Sequence, residues 1–224
     1  MGTDTGAPQV KGEFETHLTV RARPGGDADE PLRRWAARHG MKFTRIVLDR
    51  GHHPDQPMLT YQGNGILARQ RTAAREWTAR LRDAGFEVAR VKIEAAPWNK
   101  GVPHDRTAAA EPPYAACHFE HHVKLVLTDT TAELPLLRDL ATRHDAHVSR
   151  NARRALDADC HERFVTQRCH GVGRTEAGHS LAALLTALTD AGFPVVEVEE
   201  EYVVYDDNPA VDAGWLDTLA GASR

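Results

Sequence analysis

Apolar residues recur along this chain in two periods, and the order in which those periods alternate predicts its elements. Glu13 to Ala22 alternates at every second residue, the pattern of a half-buried strand. Glu30 to Gly40 repeats at helical spacing, with Pro31 in the first turn and Gly40 just past the end, where helices favour these residues. Lys42 to Asp49 and Pro57 to Gln62 read as two further strands. Leu67 to Ala84 is a long amphipathic helix stopped by Gly85, and Glu87 to Ala96 is a fourth strand. This order, βαββαβ, is that of the ferredoxin-like unit. It then returns as strand 118–127, helix 133–144, strands 146–154 and 162–168, helix 176–191 and strand 194–205.

The residues return with the pattern. Phe14-Glu15-Thr16-His17-Leu18-Thr19-Val20 comes back as Phe119-Glu120-His121-His122-Val123-Lys124-Leu125, 105 residues later. Arg38-His39 and Arg45 return as Arg143-His144 and Arg150 at the same spacing. Thr60 returns as Thr166, and Asp83-Ala84-Gly85-Phe86 as Asp190-Ala191-Gly192-Phe193, with the register drifting by two residues overall. The expected fold is α+β, a tandem duplication of a ferredoxin-like βαββαβ module. The first module spans 13–97, a Pro-, Ala- and Gly-rich linker 98–117, the second module 118–208, and a tail 209–224 packed on the second module. Helices should cover one face of each of two antiparallel sheets, leaving the open faces to line a shared cleft.

Composition narrows the classes. With 28 basic against 32 acidic residues the formal net charge is −4, so no whole-chain field draws the protein to nucleic acid or acidic lipid. The first strands also lack the stacking aromatics of RNA-recognition modules. No apolar run approaches the roughly 20 residues that span a bilayer. Met1 to Gly12 lacks the basic flank and apolar stretch of a secretory signal, so the expected location is cytoplasmic. Each of the three cysteines precedes a histidine, in Cys117-His118, Cys160-His161 and Cys169-His170. Their spacing lacks a Cys-x-x-Cys pair, and at about 3.3 Å per residue Cys160 and Cys169 stand at opposite ends of one strand, so a structural zinc is not expected.

The chemistry concentrates on the cleft face. Phe14, Leu18 and Val20 must face the helices, which turns Glu15, His17 and Thr19 to the cleft. By the same alternation the last strand of the first module presents Arg90, Lys92 and Glu94. The second module presents Glu120, His122 and Lys124, with Glu197, Glu199 and Glu201. Two sets follow: Glu15, His17 and Glu94, and Glu120, His122 and Glu201. One histidine with two carboxylates is a facial ligand set for divalent Fe, Mn, Zn or Co. Equally, a histidine beside a carboxylate is a general base, which makes His17, His122, Glu15 and Glu120 the candidate catalytic residues. The bland alternative is a wet face on which Lys92 and Lys124 pair with the glutamates.

Arginine is in excess in the second module. Arg150, Arg154, Arg163 and Arg168, with Lys124, are the residues expected to hold an anion through guanidinium and ammonium contacts. Gly63-Asn64-Gly65 and Gly171-Val172-Gly173 read as turns into the second helix of each module, where free backbone N–H groups could take phosphate. No Gly-x-Ser-x-Gly or comparable nucleophile motif is present.

Two local resemblances stand beside this reading. His17-Leu18-Thr19-Val20 resembles the His-x-Thr-x-apolar element that two-histidine phosphoesterases carry once per lobe, although the second module has Lys124 where that family has Thr or Ser. His121-His122-Val123-Lys124-Leu125 resembles the opening strand of vicinal-oxygen-chelate modules, whose βαβββ order the long helix Leu67–Ala84 contradicts. Each covers a handful of residues and neither assigns a family. The leading expectation is a small enzyme, hydrolase- or phosphoesterase-like, acting on a small anionic, phosphorylated or nucleotide-like substrate in the cleft. The alternatives are a non-catalytic protein binding an anionic ligand, and a structural module whose polar face joins copies; the sequence leaves the oligomeric state open.

Overall fold

The computed structural model describes residues 6–22, 29–128, 130–151, 155–157 and 160–215. Among the described residues nine strands are formed: β1 (Lys11–Val20), β2 (Lys42–Leu48), β3 (Asp55–Ile66), β4 (Val88–Ala95), β5 (His118–Leu127), β6 (Ala146–Asn151), β7 (Ala155–Asp157), β8 (Cys160–His170) and β9 (Val195–Asp206). The helices are α1 (Glu30–Arg38), α2 (Leu67–Asp83), α3 (Arg106–Ala110), α4 (Thr130–Arg143) and α5 (Arg174–Asp190). The protein is thus α+β, with the βαββαβ order in the first half and the same order with the short β7 inserted in the second. The expected strand over 146–154 ends at Asn151, and residues 152–154 lie outside the described residues.

The expected pair of separate sheets is replaced by one sheet. Within the first half the order is β4-β1-β3-β2, and within the second β9-β5-β8-β6. The halves then join twice, through antiparallel β4–β9 and β2–β6 ladders, so eight strands form a closed ring with β7 attached to β8. The cause is edge chemistry. Each half alone would leave a row of unpaired backbone N–H and C=O groups on β2, β4, β6 and β9, and pairing across the halves satisfies them. An eight-stranded barrel leaves a lumen that side chains fill or one small ligand occupies.

Outside the ring, helices bury most of the apolar faces of the strands, although Val196 and Val198 of β9 stay exposed. Phe14, Leu18, Leu59 and Ile93 pack with Leu32, Trp35 and Leu81 of α1 and α2. Val123, Leu125 and Val165 pack with Leu137, Leu140, Leu181, Leu184 and Leu188 of α4 and α5. Because strand side chains alternate, this fixes which residues point into the lumen.

The connecting segments are tightly placed. Asn99 exchanges hydrogen bonds with the Glu13 backbone, donating from Nδ2 at 2.6 Å and accepting at Oδ1 at 3.0 Å. Gly63 to Gly65 belongs to extended β3 and pairs with β1, so it is not a phosphate-binding turn. At the start of α5, Arg174 N–H and Thr175 N–H donate to the Pro103 and His104 carbonyls, and Gly173 N–H donates to Glu176. The donors that a phosphate would need are therefore already used. The segment from Pro209 to Trp215 does not pack on the second half alone. Asp212 bonds Gln56, Arg90 and Arg168, while the Trp215 indole donates to the Val148 carbonyl at 3.1 Å.

A Cβ on Gly173 would lie 2.2 Å from the Asp105 backbone nitrogen and 2.4 Å from the His104 carbonyl carbon. Backbone cannot swing aside as a flexible side chain can, so Gly173→Ala should destabilise by about 1–3 kcal/mol, the usual cost of overpacking. Urea denaturation measures this, and an unchanged midpoint would show that the linker yields.

Candidate functional site

All eight strands of the ring contribute to a cavity of about 520 Å³ inside it. Its charged wall comes from β1, β4, β5 and β9. Cross-strand register places Glu15 beside Glu94, His17 beside Lys92 and Thr19 beside Arg90. On the second half Glu120 stands beside Glu201, His122 beside Glu199 and Lys124 beside Glu197. The alternation read from the sequence thus assigns the right faces to all of these residues.

Each half positions its histidine in the same way. The His17 Nδ1 lies 2.8 Å from the Thr60 hydroxyl and its Nε2 lies 2.5 Å from Glu94 Oε2. The His122 Nδ1 lies 2.9 Å from the Thr166 hydroxyl and its Nε2 lies 3.1 Å from Glu201 Oε2. A threonine on the neighbouring strand orients each ring and leaves Nε2 aimed at the carboxylates, the arrangement that also fixes metal-ligating histidines.

The carboxylates themselves are buried. Glu94 is 1% exposed and Glu120 0%. Ionised groups survive such burial only when paired. Lys92 bridges them, with Nζ 2.5 Å from Glu94 Oε1 and 2.7 Å from Glu120 Oε2. Arg168 pairs with Glu120 and donates to Asp212 at 2.9 Å. Arg90 donates to Asp212 at 2.8 Å and holds Asp206 through both Nε and Nη2.

These contacts set the protonation pattern. Burial opposes the charge of Glu94 and Glu120, but Lys92 and His17 beside the first, and Arg168 and Lys92 beside the second, hold both below the usual carboxylate range. Burial also opposes a charge on His122, yet Glu120 and Glu201 raise its pKa to about 10. His17 is raised too, Glu94 outweighing burial. Glu201 is pushed up by burial and by the charge of Glu94, against the pull of His122. One carboxylate that resists ionisation therefore sits among others that do not.

Ligand atoms of Glu94, Glu120, His122 and Glu201 all lie within 4.8 Å of one another. These are four of the six residues expected from the sequence to ligate a metal. His17 is joined to them through Glu94, and Glu15 lines the cavity without entering the group. Of the expected anion-holding residues, Lys124 and Arg168 line the lumen. Arg150 does not: it is exposed and shares the outward face of β6 with Val148. Arg163 shares the outward face of β8 with Val165, where burial and the neighbouring Arg150 lower its pKa. Arg154 lies outside the described residues. The two displaced arginines were grouped with Arg168 by proximity in sequence, whereas alternation separates them from it. Sequence reasoning missed Asp212, which follows no periodic element, and the anchoring roles of Thr60 and Thr166, which their recurrence in the repeat could have signalled.

No protein-family model matches the chain. No curated protein matches it. Among solved structures, the acetolactate synthase small subunit from Thermotoga maritima is similar at 12% identity, over 87% of this chain and 96% of that one, with a TM-score of 0.30. The regulatory subunit of aspartate kinase from Thermus thermophilus, in its ligand-free form, follows at 13% identity, 82% and 99% coverage, and a TM-score of 0.30. A dye-decolorizing protein from V. cholerae shows 8% identity, 89% and 95% coverage, and a TM-score of 0.29. Likeness this low assigns no family, and the function has to be argued from the lumen itself. No helix among the described residues is long and apolar enough to cross a membrane.

Two outcomes follow from the electrostatics. Lys92→Met removes the ammonium shared by two buried carboxylates and should cost about 3–5 kcal/mol in urea denaturation, because the partners remain buried and lose the charge between them, with only His17 and Arg168 left beside them. Adding Glu120→Gln should return part of that loss; a single variant as stable as the parent would show that Lys92 is dispensable. His147, on β6 near Arg50 and Arg168, has its pKa lowered to about 4 by burial and by those guanidinium charges. A folded pKa below the unfolded value means that its contribution to stability is complete above about pH 6.5 and is lost as pH falls toward 4. His147→Asn should therefore flatten the stability–pH curve in that window.

Proposed function

We propose that the protein is a small-ligand-binding barrel whose lumen takes an anionic ligand, with a divalent cation held by Glu94, Glu120, His122 and Glu201. The observation that supports it most is the convergence of those four donors within 4.8 Å of one another, three of them, Glu120, His122 and Glu201, on the wall of a cavity of about 520 Å³. Carboxylate and imidazole donors suit Mn, Fe, Co or Zn, and three carboxylates drawn together favour a cation to offset their repulsion. In the present arrangement Lys92 and a protonated His122 supply that positive charge. A cation would take over this role, with Lys92 as a neighbouring charge. The anionic group of the ligand would meet the cation and Lys124, whose own carboxylate partners, Glu162 and Glu197, stand at 3.2 and 3.5 Å. We further propose that the two halves arose by duplication, since each repeats the same His–Thr–Glu arrangement at equivalent positions.

A second reading has one observation in its favour. The 2.5 Å contact between His17 and Glu94 beside a half-buried Glu201 with a raised pKa is a proton-transfer pair, and it would serve acid–base catalysis without a metal.

Elemental analysis and Mn²⁺ titration followed by electron paramagnetic resonance separate the two. One equivalent of bound Mn²⁺ per chain is expected, lost in His122→Ala and in Glu201→Gln and retained in Arg163→Ala, whose residue faces away from the lumen. No binding in the wild type after reconstitution, or equal binding in all variants, would sink the cation and shift the weight to His17 and Glu94.

A further inference from the structure

We infer that the ligand is an amphipathic monoanion, a ring-sized apolar body carrying one acid group; this rests on the lumen being the ligand site. The two walls of the cavity differ in where their apolar side chains lie. From β1, β4, β5 and β9 every lining side chain is polar or charged. From β2, β3, β6 and β8 come all the apolar lining residues of the strands, among them Ile46, Leu48, Met58 and Phe164, interleaved with Thr44, Ser149 and Asn151 and flanked by Lys42, Gln56 and Arg168. Register sets each of these apolar residues opposite a polar one, so apolar and polar side chains share this side of the lumen. Met58 lies across from Thr44 and Ile46 from Asn151, Leu48 from Ser149, and Ser149 in turn from Phe164.

Ile46, Met58 and Phe164 are half-buried although their strands belong to a closed ring. Their uncovered surface borders the cavity, where it gains nothing from water. A purely inorganic anion could meet Lys124 and a bound cation but would leave these apolar side chains wet. A purely apolar ligand would strip solvent from Glu, His and Lys groups without replacing it. A molecule with both characters satisfies each wall, and a cavity of about 520 Å³ lies within the range of sites for small organic ligands. The same division sets the orientation: the acid group faces Lys124 and the Glu/His group, and the apolar body lies against Ile46, Met58 and Phe164.

The test is calorimetric titration of the full chain with naphthoate, benzoate and acetate, with and without Mn²⁺. Naphthoate should bind one per chain and at least about tenfold more tightly than acetate, the increment expected from burying its extra apolar carbons. The Ile46→Asn/Met58→Gln double variant should lose that preference while its acetate and Mn²⁺ binding stay as in the wild type. If that variant fails to fold, Phe164→Leu should reduce the preference by a smaller factor. Quenching of Trp215, which lines the cavity, reports binding inside the ring, and Trp215→Phe removes the signal. Equal affinities for the three acids, or a naphthoate preference untouched by the wall variants, would overturn the inference. Mn²⁺ binding without a naphthoate preference sinks this inference alone, whereas a naphthoate preference without Mn²⁺ sinks the cation alone.

Discussion

Two buried carboxylates from different halves share one ammonium, and much of the molecule is arranged around that fact. Glu94 arrives on β4 and Glu120 on β5, and Lys92 Nζ reaches both within 2.7 Å. Without a cation between them the pair would repel in a medium that screens poorly. Arg168 then neutralises Glu120 from a third strand, and Asp212 ties Arg168 to Arg90. The network therefore crosses between the halves, adding ion pairs to the β4–β9 and β2–β6 backbone ladders that join them.

The faces of the strands were legible because alternation is a local property. Once Phe14, Leu18 and Val20 are assigned to the helices, His17 has one direction left, and the same holds for Lys92, His122 and Glu201. What joins the halves was not legible. The sequence of β4 contains nothing that distinguishes pairing with β9 from exposure at an edge, and the closed ring depends on twist and spacing that emerge when both halves are present. Asp212 was hidden for a related reason. It lies in a single turn of 3-10 helix, and its meaning comes from Arg90 and Arg168, 122 and 44 residues away. Arg150 and Arg163 show the opposite error, since nearness along the chain was given more weight than the parity that turns them outward.

The two halves share one arrangement and differ around it. His17, Thr60 and Glu94 correspond to His122, Thr166 and Glu201, and both triplets keep the same contacts. Around them the charges are reversed: β4 presents Arg90 and Lys92 where β9 presents Glu197 and Glu199. Glu120 is fully buried among cations, while its counterpart Glu15 stays half-buried. The common part orients imidazoles, and the differing part gives β4 cations where β9 carries carboxylates.

Closure of the ring has a consequence for traffic. Proteins built from two lobes around a cleft usually admit their ligands by swinging the lobes apart about a hinge. Here such a swing would break either the β4–β9 ladder, from Lys92–Ala95 to Tyr202–Asp206, or the β2–β6 ladder from Ile46–Leu48 to Ser149–Asn151. Exchange with solvent has to run through the ends of the ring or past the short stretch that carries Asp212 and Trp215. How fast the lumen fills and empties is then governed by a few side chains and one turn, not by the relative motion of the halves.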